Sequence, residues 1–82
     1  MYKSLKKLDE DNYRALAEAI IVQAVKDYRS VLKRLKYDYD CRILISQKRS
    51  LENFFSSEWF SVLTKVNGKA LARKIREEIE NI

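Results

Sequence analysis

The sequence predicts an all-α fold: a small single domain of three or four helices with a long N-terminal helix. Three features point there. Proline is absent and glycine occurs once, so the two strongest helix breakers hardly interrupt the chain. Apolar residues recur at intervals of three and four from Tyr13 to Leu35. A dense aromatic block, "FFSSEWF" at 54–60, holds two serines and is followed by Asn67-Gly68, residues suited to helix ends. The 82 residues form one domain, 1–82. A core of this size supplies only about 3–5 kcal/mol, and small chains often gain stability by association. A homo-oligomer is therefore a natural option.

The first helix is expected from about Asp11 to Lys36. Asp9 or Asp11 is placed to cap it, and Glu10 suits its positive end. Tyr13, Ala17, Ile20, Ala24, Tyr28, Val31 and Leu35 fall on one face, widened by Leu16, Ile21, Val25 and Leu32. Tyr13 and Tyr28 are expected to cover the core with their hydroxyls outward. Residues 1–8, with Lys3, Lys6 and Lys7, form a basic N-terminal arm with freedom to move.

Two patterns compete over residues 37–46. Tyr37, Tyr39, Cys41, Ile43 and Ile45 alternate as in a strand. Leu44, Leu51, Phe54 and Phe55 instead share a helical face, with Asp40 as a candidate cap. A lone strand has no partner here, so a helix over about 40–55 is preferred. A short helix follows, capped by Ser56 or Ser57, with Glu58 in its first turn. The spacing of Trp59, Val62, Leu63 and Val66 places them inward and leaves Phe60 about 100° away, the aromatic to test against a partner. Asn67-Gly68 is expected to end this helix in the left-handed conformation. The last helix spans about Lys69 to Glu80, with Leu71, Ala72, Ile75, Ile79 and Ile82 on its apolar edge. Arg73–Glu77, Lys74–Glu78 and Arg76–Glu80 are spaced for i, i+4 pairs.

No constellation of catalytic groups stands out. Without histidine the commonest general base and transition-metal ligand is missing, and Ser-His and Cys-His nucleophiles are excluded. The lone "NGK" is too poor in glycine to cradle phosphate. No enzymatic activity, cofactor or metal is expected. The single Cys41 has no disulfide partner within the chain, and no segment has the apolar length of a membrane span or signal peptide. These features fit the reducing cytoplasm of a host cell.

The basic residues are better organised, within a net charge of +5 and a pI near 9.4. Lys26, Arg29, Lys33 and Lys36 make one stripe on the first helix, opposite its apolar face. Arg42, Lys48 and Arg49 add a second group. The candidate partner-binding residues are Lys26, Arg29, Lys33, Lys36, Arg42 and Arg49. Arginine offers bidentate contacts and lysine a point charge to phosphates or carboxylates. The plain alternative is a solvated face. Tyr37 and Tyr39, beside Asp38 and Asp40, suit an interface or a stacked base. A helix-turn-helix is disfavoured, because the helix after Phe55-Ser56-Ser57 is short, apolar and nearly uncharged.

Two blocks, "LAEAIIVQAVKDYR" at 16–29 and "FFSSEWFSVLTKVNGKAL" at 54–71, resemble a family of short proteins encoded by phages, prophages and integrated elements of low-GC Gram-positive bacteria. Phe54, Phe55, Ser57, Trp59, Phe60, Leu63, Thr64 and Gly68 match its "FF-x-S-x-WF-x-x-LT" block and the glycine after it. The "YDYDCRILISQKRS" segment fits that pattern less well. The resemblance implies a genomic context and no set activity: an accessory phage protein, of a kind that often inhibits host machinery. The expected function is a non-enzymatic binding protein that occupies a host protein or protein–nucleic-acid complex, in the manner of an anti-CRISPR inhibitor. Direct nucleic-acid binding by a small regulator is the second expectation. An oligomeric part of a phage assembly is the third.

Overall fold

A computed structural model describes the backbone of residues 2–81 and the side chains of 12–81. Four helices follow in order: α1 (Tyr2–Tyr37), α2 (Arg42–Phe55), α3 (Glu58–Leu63) and α4 (Gly68–Glu80), with no strand among the described residues. The all-α expectation holds. α1 begins at Tyr2, not near Asp11, so Asp9 and Asp11 lie within the helix and do not cap its start. Residues 2–8, expected as a separate basic arm, continue the helix. The side chains of these residues and Ile82 lie outside the described residues.

The ambiguous segment 37–46 divides into the last turn of α1, a tight turn and the start of α2. Cys41 N–H donates to the Asp38 carbonyl at 3.3 Å. Cys41, not Asp40, precedes the first helical residue, and no side chain caps α2. The alternating pattern is thus overridden for want of a partner strand. Leu44 and Phe55 are buried and Leu51 and Phe54 half-buried, as the helical spacing requires.

α2 runs antiparallel to α1. Tyr28 meets Glu52 and Phe55, while Arg34 and Gln47 line the same hollows farther along. With 14 residues at about 1.5 Å each, α2 returns only to the level of about Gln23 on α1. This length explains a departure from expectation: Tyr13 and Leu16 belong to the apolar stripe by spacing but stay largely exposed. Beyond the end of α2, cover from the other helices reaches Ala17 but not Tyr13 and Leu16. Ala17, Ala24, Tyr28 and Val31 are buried as expected.

The core is an aromatic cluster closed by α4. Tyr28, Phe55 and Phe60 are the largest fully buried side chains, packed with Ala24, Ala72, Ile75 and Ile79. Phe55 lies 5.5 Å from Tyr28 and 5.6 Å from Phe60 between ring centroids. Phe54 meets Phe60 edge-on at 5.5 Å.

α3 reverses the predicted orientation. Phe60 is 1% exposed, whereas Trp59 is 55% and Val62 67% exposed. Two facts account for this. The helix has six residues, too few for an i, i+7 stripe, and Val66 lies beyond its end. Ser57 then sets the phase. Its hydroxyl donates to the Phe54 carbonyl at 2.7 Å and accepts the Phe60 N–H at 3.1 Å. That double bond to the chain pins Phe60 over Phe54 and Phe55. Trp59 keeps only an edge contact with Phe54 at 5.7 Å.

Asn67-Gly68 does not end α3; it starts α4. The Asn67 side chain accepts the Ala70 N–H at 3.1 Å, an N-cap, and no described residue has positive φ. Thr64 ends α3 instead.

Candidate functional site

The predicted cationic residues divide once the helices are placed. Lys26, Lys33 and Lys36 are exposed on α1. At 100° per residue Lys26 and Lys33 fall opposite the buried Ala24, Tyr28 and Val31, and Lys36 lies on the flank, about 80–140° from them. Arg42 and Arg49 are exposed on α2, opposite Leu44 and Leu51. The stripe and the second group therefore occupy outward faces of two different helices. Among the described residues none of these five forms an ion pair.

Arg29 is different. Its guanidinium holds Glu78 on α4, with Nη2 at 3.0 Å and Nε at 3.2 Å from the same carboxylate oxygen. It leans toward α4 and is engaged within the fold. The acidic end of α4 thus meets a basic residue of this chain. The predicted pairs Arg73–Glu77, Lys74–Glu78 and Arg76–Glu80 are absent among the described residues, and for the last two Glu78 and Arg76 reach across to other helices instead.

Arg76 belongs to a polar clasp that sequence reasoning missed. The Tyr28 hydroxyl donates to Glu52 Oε2 at 2.6 Å. Arg76 Nη1 donates to that hydroxyl at 3.1 Å and to Glu52 Oε2 at 3.4 Å. Lys48 Nζ stands 3.5 Å from the same oxygen. Three helices meet here, with the aromatic ring wholly buried. Burial, and the bond to the Glu52 carboxylate, push the Tyr28 hydroxyl up to about 12. The bond from the Tyr28 oxygen raises the Arg76 pKa further above its ordinary value. A phenol held protonated and a guanidinium held charged suit a structural clasp, not proton transfer near neutrality. The expected outward hydroxyl on Tyr28 is corrected. The missed signal lies in Glu52, an acid set between Leu51 and the buried Phe55.

Comparison with protein-family models, curated proteins and solved structures gave no match. The functional reading therefore stands on the surfaces of this chain. Among the described residues no group of three or more histidine, cysteine, aspartate or glutamate side chains is gathered to hold a metal ion. No described helix is long and apolar enough to cross a membrane.

Among the other surface features, two bear on binding. One is the apolar step of Trp59, Val62 and Val66 on and after α3. The other is a pair of adjoining hollows along the seam of α1 and α2. The first, about 440 Å³, is lined by Ser30, Arg34, Ser46, Gln47 and Ser50 over Val31 and Leu51, with Asp27 at its edge. The second, about 460 Å³, is lined by Tyr37, Asp38, Cys41, Ile43 and Leu44. Arg34 and Gln47 line both and join them.

Proposed function

We propose that this protein is a non-enzymatic binding protein of a phage or mobile element. It occupies a host protein or a protein–nucleic-acid complex, as an inhibitor of a defence system of the anti-CRISPR kind would. The genomic part of this reading rests on the sequence resemblance. The observation that carries the binding part is the row Lys26, Lys33 and Lys36, exposed on α1 with no pairing acid among the described residues. Three uncompensated cations on a rigid helix favour encounter with an acidic or phosphate-bearing surface. Arg42 and Arg49 extend the positive potential onto α2.

Affinity capture from host lysate tests this, comparing wild type with Lys26→Glu/Lys33→Glu/Lys36→Glu. A partner retained by wild type and lost on charge reversal supports the row as the contact. Identical partners for both proteins remove it.

The exposed Trp59, Val62 and Val66, close together in sequence on and after α3, favour a second reading, an oligomeric component of a phage assembly, since exposed large apolar side chains favour association. A strictly monomeric mass at high concentration would end that reading.

A further inference from the structure

We infer that the seam between α1 and α2 is a binding site for a short single-stranded segment of nucleic acid. This goes beyond the function proposed above: the direct contacts lie on the seam, and the lysine row lends only background potential. At the outer end of the seam Tyr37, the last residue of α1, is 92% exposed, and Ile43, in the first turn of α2, is 70% exposed. Both line one hollow. The exposed Tyr37 ring offers a face on which a flat base can stack, and Ile43 adds apolar surface along the same hollow.

One turn inward on each helix stand Arg34 and Gln47, shared by the two hollows. Arginine matches a phosphate with two parallel donors. The glutamine amide carries both donors and an acceptor, enough for a base edge. Beyond them Ser30, Ser46 and Ser50 present hydroxyls along the inner hollow. None of these five side chains makes a hydrogen bond among the described residues, although several polar neighbours are engaged. Their donors are open to a ligand.

The charges set the length of the site. Asp38 lies at the outer hollow and Asp27 at the inner one. Asp27 Oδ1 already accepts from Gln23 at 2.8 Å. Both carboxylates repel phosphate, so the phosphate belongs mid-seam, at Arg34. Arg34 and Tyr37 are three residues apart, about 4.5 Å along the axis, so one or two nucleotides fit. Lys33, Lys36, Arg42 and Arg49 on the outer faces of the same helices raise the local positive potential. A run of aspartates and glutamates would use the cations but has no flat ring to stack on Tyr37, which favours a nucleobase.

Fluorescence anisotropy with labelled oligothymidylate and oligouridylate tests the site in the full chain. The expected result is binding at low salt that weakens as salt rises. Tyr37→Ala and Arg34→Ala should each weaken it about tenfold, and Asp38→Asn should strengthen it. Both main targets are exposed, and circular dichroism with thermal melts confirms that the variants fold. Absence of binding at low salt overturns the inference. So does wild-type affinity in Tyr37→Ala, or displacement by polyglutamate as readily as by unlabelled oligonucleotide, which would mark a general acidic-partner surface. Lys26→Glu alone, at the end of the row remote from Tyr37, keeps the tests apart: it should weaken capture of the host partner yet bind oligonucleotide in a Tyr37-dependent way. If capture fails and that binding persists, only the function proposed above falls.

Discussion

Gly68 packs directly on the Phe55 carbonyl: a β-carbon built there would overlap its oxygen and stand 2.8 Å from its carbon. The same β-carbon would stand 2.9 Å from Phe60 Cδ1. Glycine is needed for approach, not for a left-handed turn. Gly68→Ala gains about 1 kcal/mol of helix propensity. It must also push α4 off backbone atoms that cannot rotate away, and overpacking of this kind costs about 1–3 kcal/mol or more. The clash wins. The variant should melt several degrees lower by circular dichroism. Asn67→Ala removes only the cap, worth about 1 kcal/mol, and should fall less.

Phe60 and Trp59 are neighbours with opposite duties. Phe60→Ala empties a fully buried site and should cost about 3–5 kcal/mol, which abolishes cooperative unfolding in so small a domain. Trp59→Ala removes a half-exposed ring and should cost about 1 kcal/mol, part of it the edge contact with Phe54. Chemical denaturation of the two variants checks this order. The reverse order would mean that Trp59 is the inward residue.

The long periods were legible and the short ones were not. α1, α2 and α4 each expose enough turns for apolar spacing to fix a face, and Ala24, Leu44, Ile75 and Ile79 lie where that spacing puts them. α3 offers six residues, and its phase is set by the Ser57 cap, a local bond that outweighs periodicity. The extent of burial along α1 depends on where α2 stops, a tertiary fact invisible at Tyr13 and Leu16. Of the six predicted contact residues, Lys26, Lys33 and Lys36 on α1 and Arg42 and Arg49 on α2 are exposed and unpaired among the described residues. Arg29 shares their spacing but pairs with Glu78, forty-nine positions on. The seam hollows depend on two helices together, and only Tyr37 at their mouth was singled out beforehand.

The Tyr28 clasp predicts an alkaline transition. The Tyr28 pKa is raised from 10 in the unfolded chain to about 12 in the fold. A raised folded pKa means that its stability is fully present below pH 10 and is lost as the pH climbs to about 12. The difference amounts to at most about 3 kcal/mol. Wild type should therefore lose melting temperature over that window more steeply than Tyr28→Phe. At neutral pH Tyr28→Phe should cost about 1–2 kcal/mol, because the hydroxyl's bonds are gone while Glu52 keeps Arg76 and Lys48. Parallel slopes in the two proteins would exclude the clasp as the source.

Arg29 and Lys33 separate structural charge from surface charge. Both were assigned to one stripe by spacing. Arg29→Glu would set a carboxylate against Glu78, replacing an attractive contact at 3.0 Å by a repulsive one. The pair is half exposed, so the attraction itself contributes no more than about 1 kcal/mol, and the repulsion adds a similar amount at low salt. Lys33→Glu meets no described partner and should leave the melting temperature within about 0.5 kcal/mol of wild type. The double exchange Arg29→Glu/Glu78→Arg should recover most of the loss. High salt should shrink the Arg29→Glu effect and leave Lys33→Glu unchanged. Equal melting of both single variants would mean that the Arg29–Glu78 contact contributes nothing in solution. Arg29 would then rejoin Lys26, Lys33 and Lys36 as a free cation on the proposed binding face.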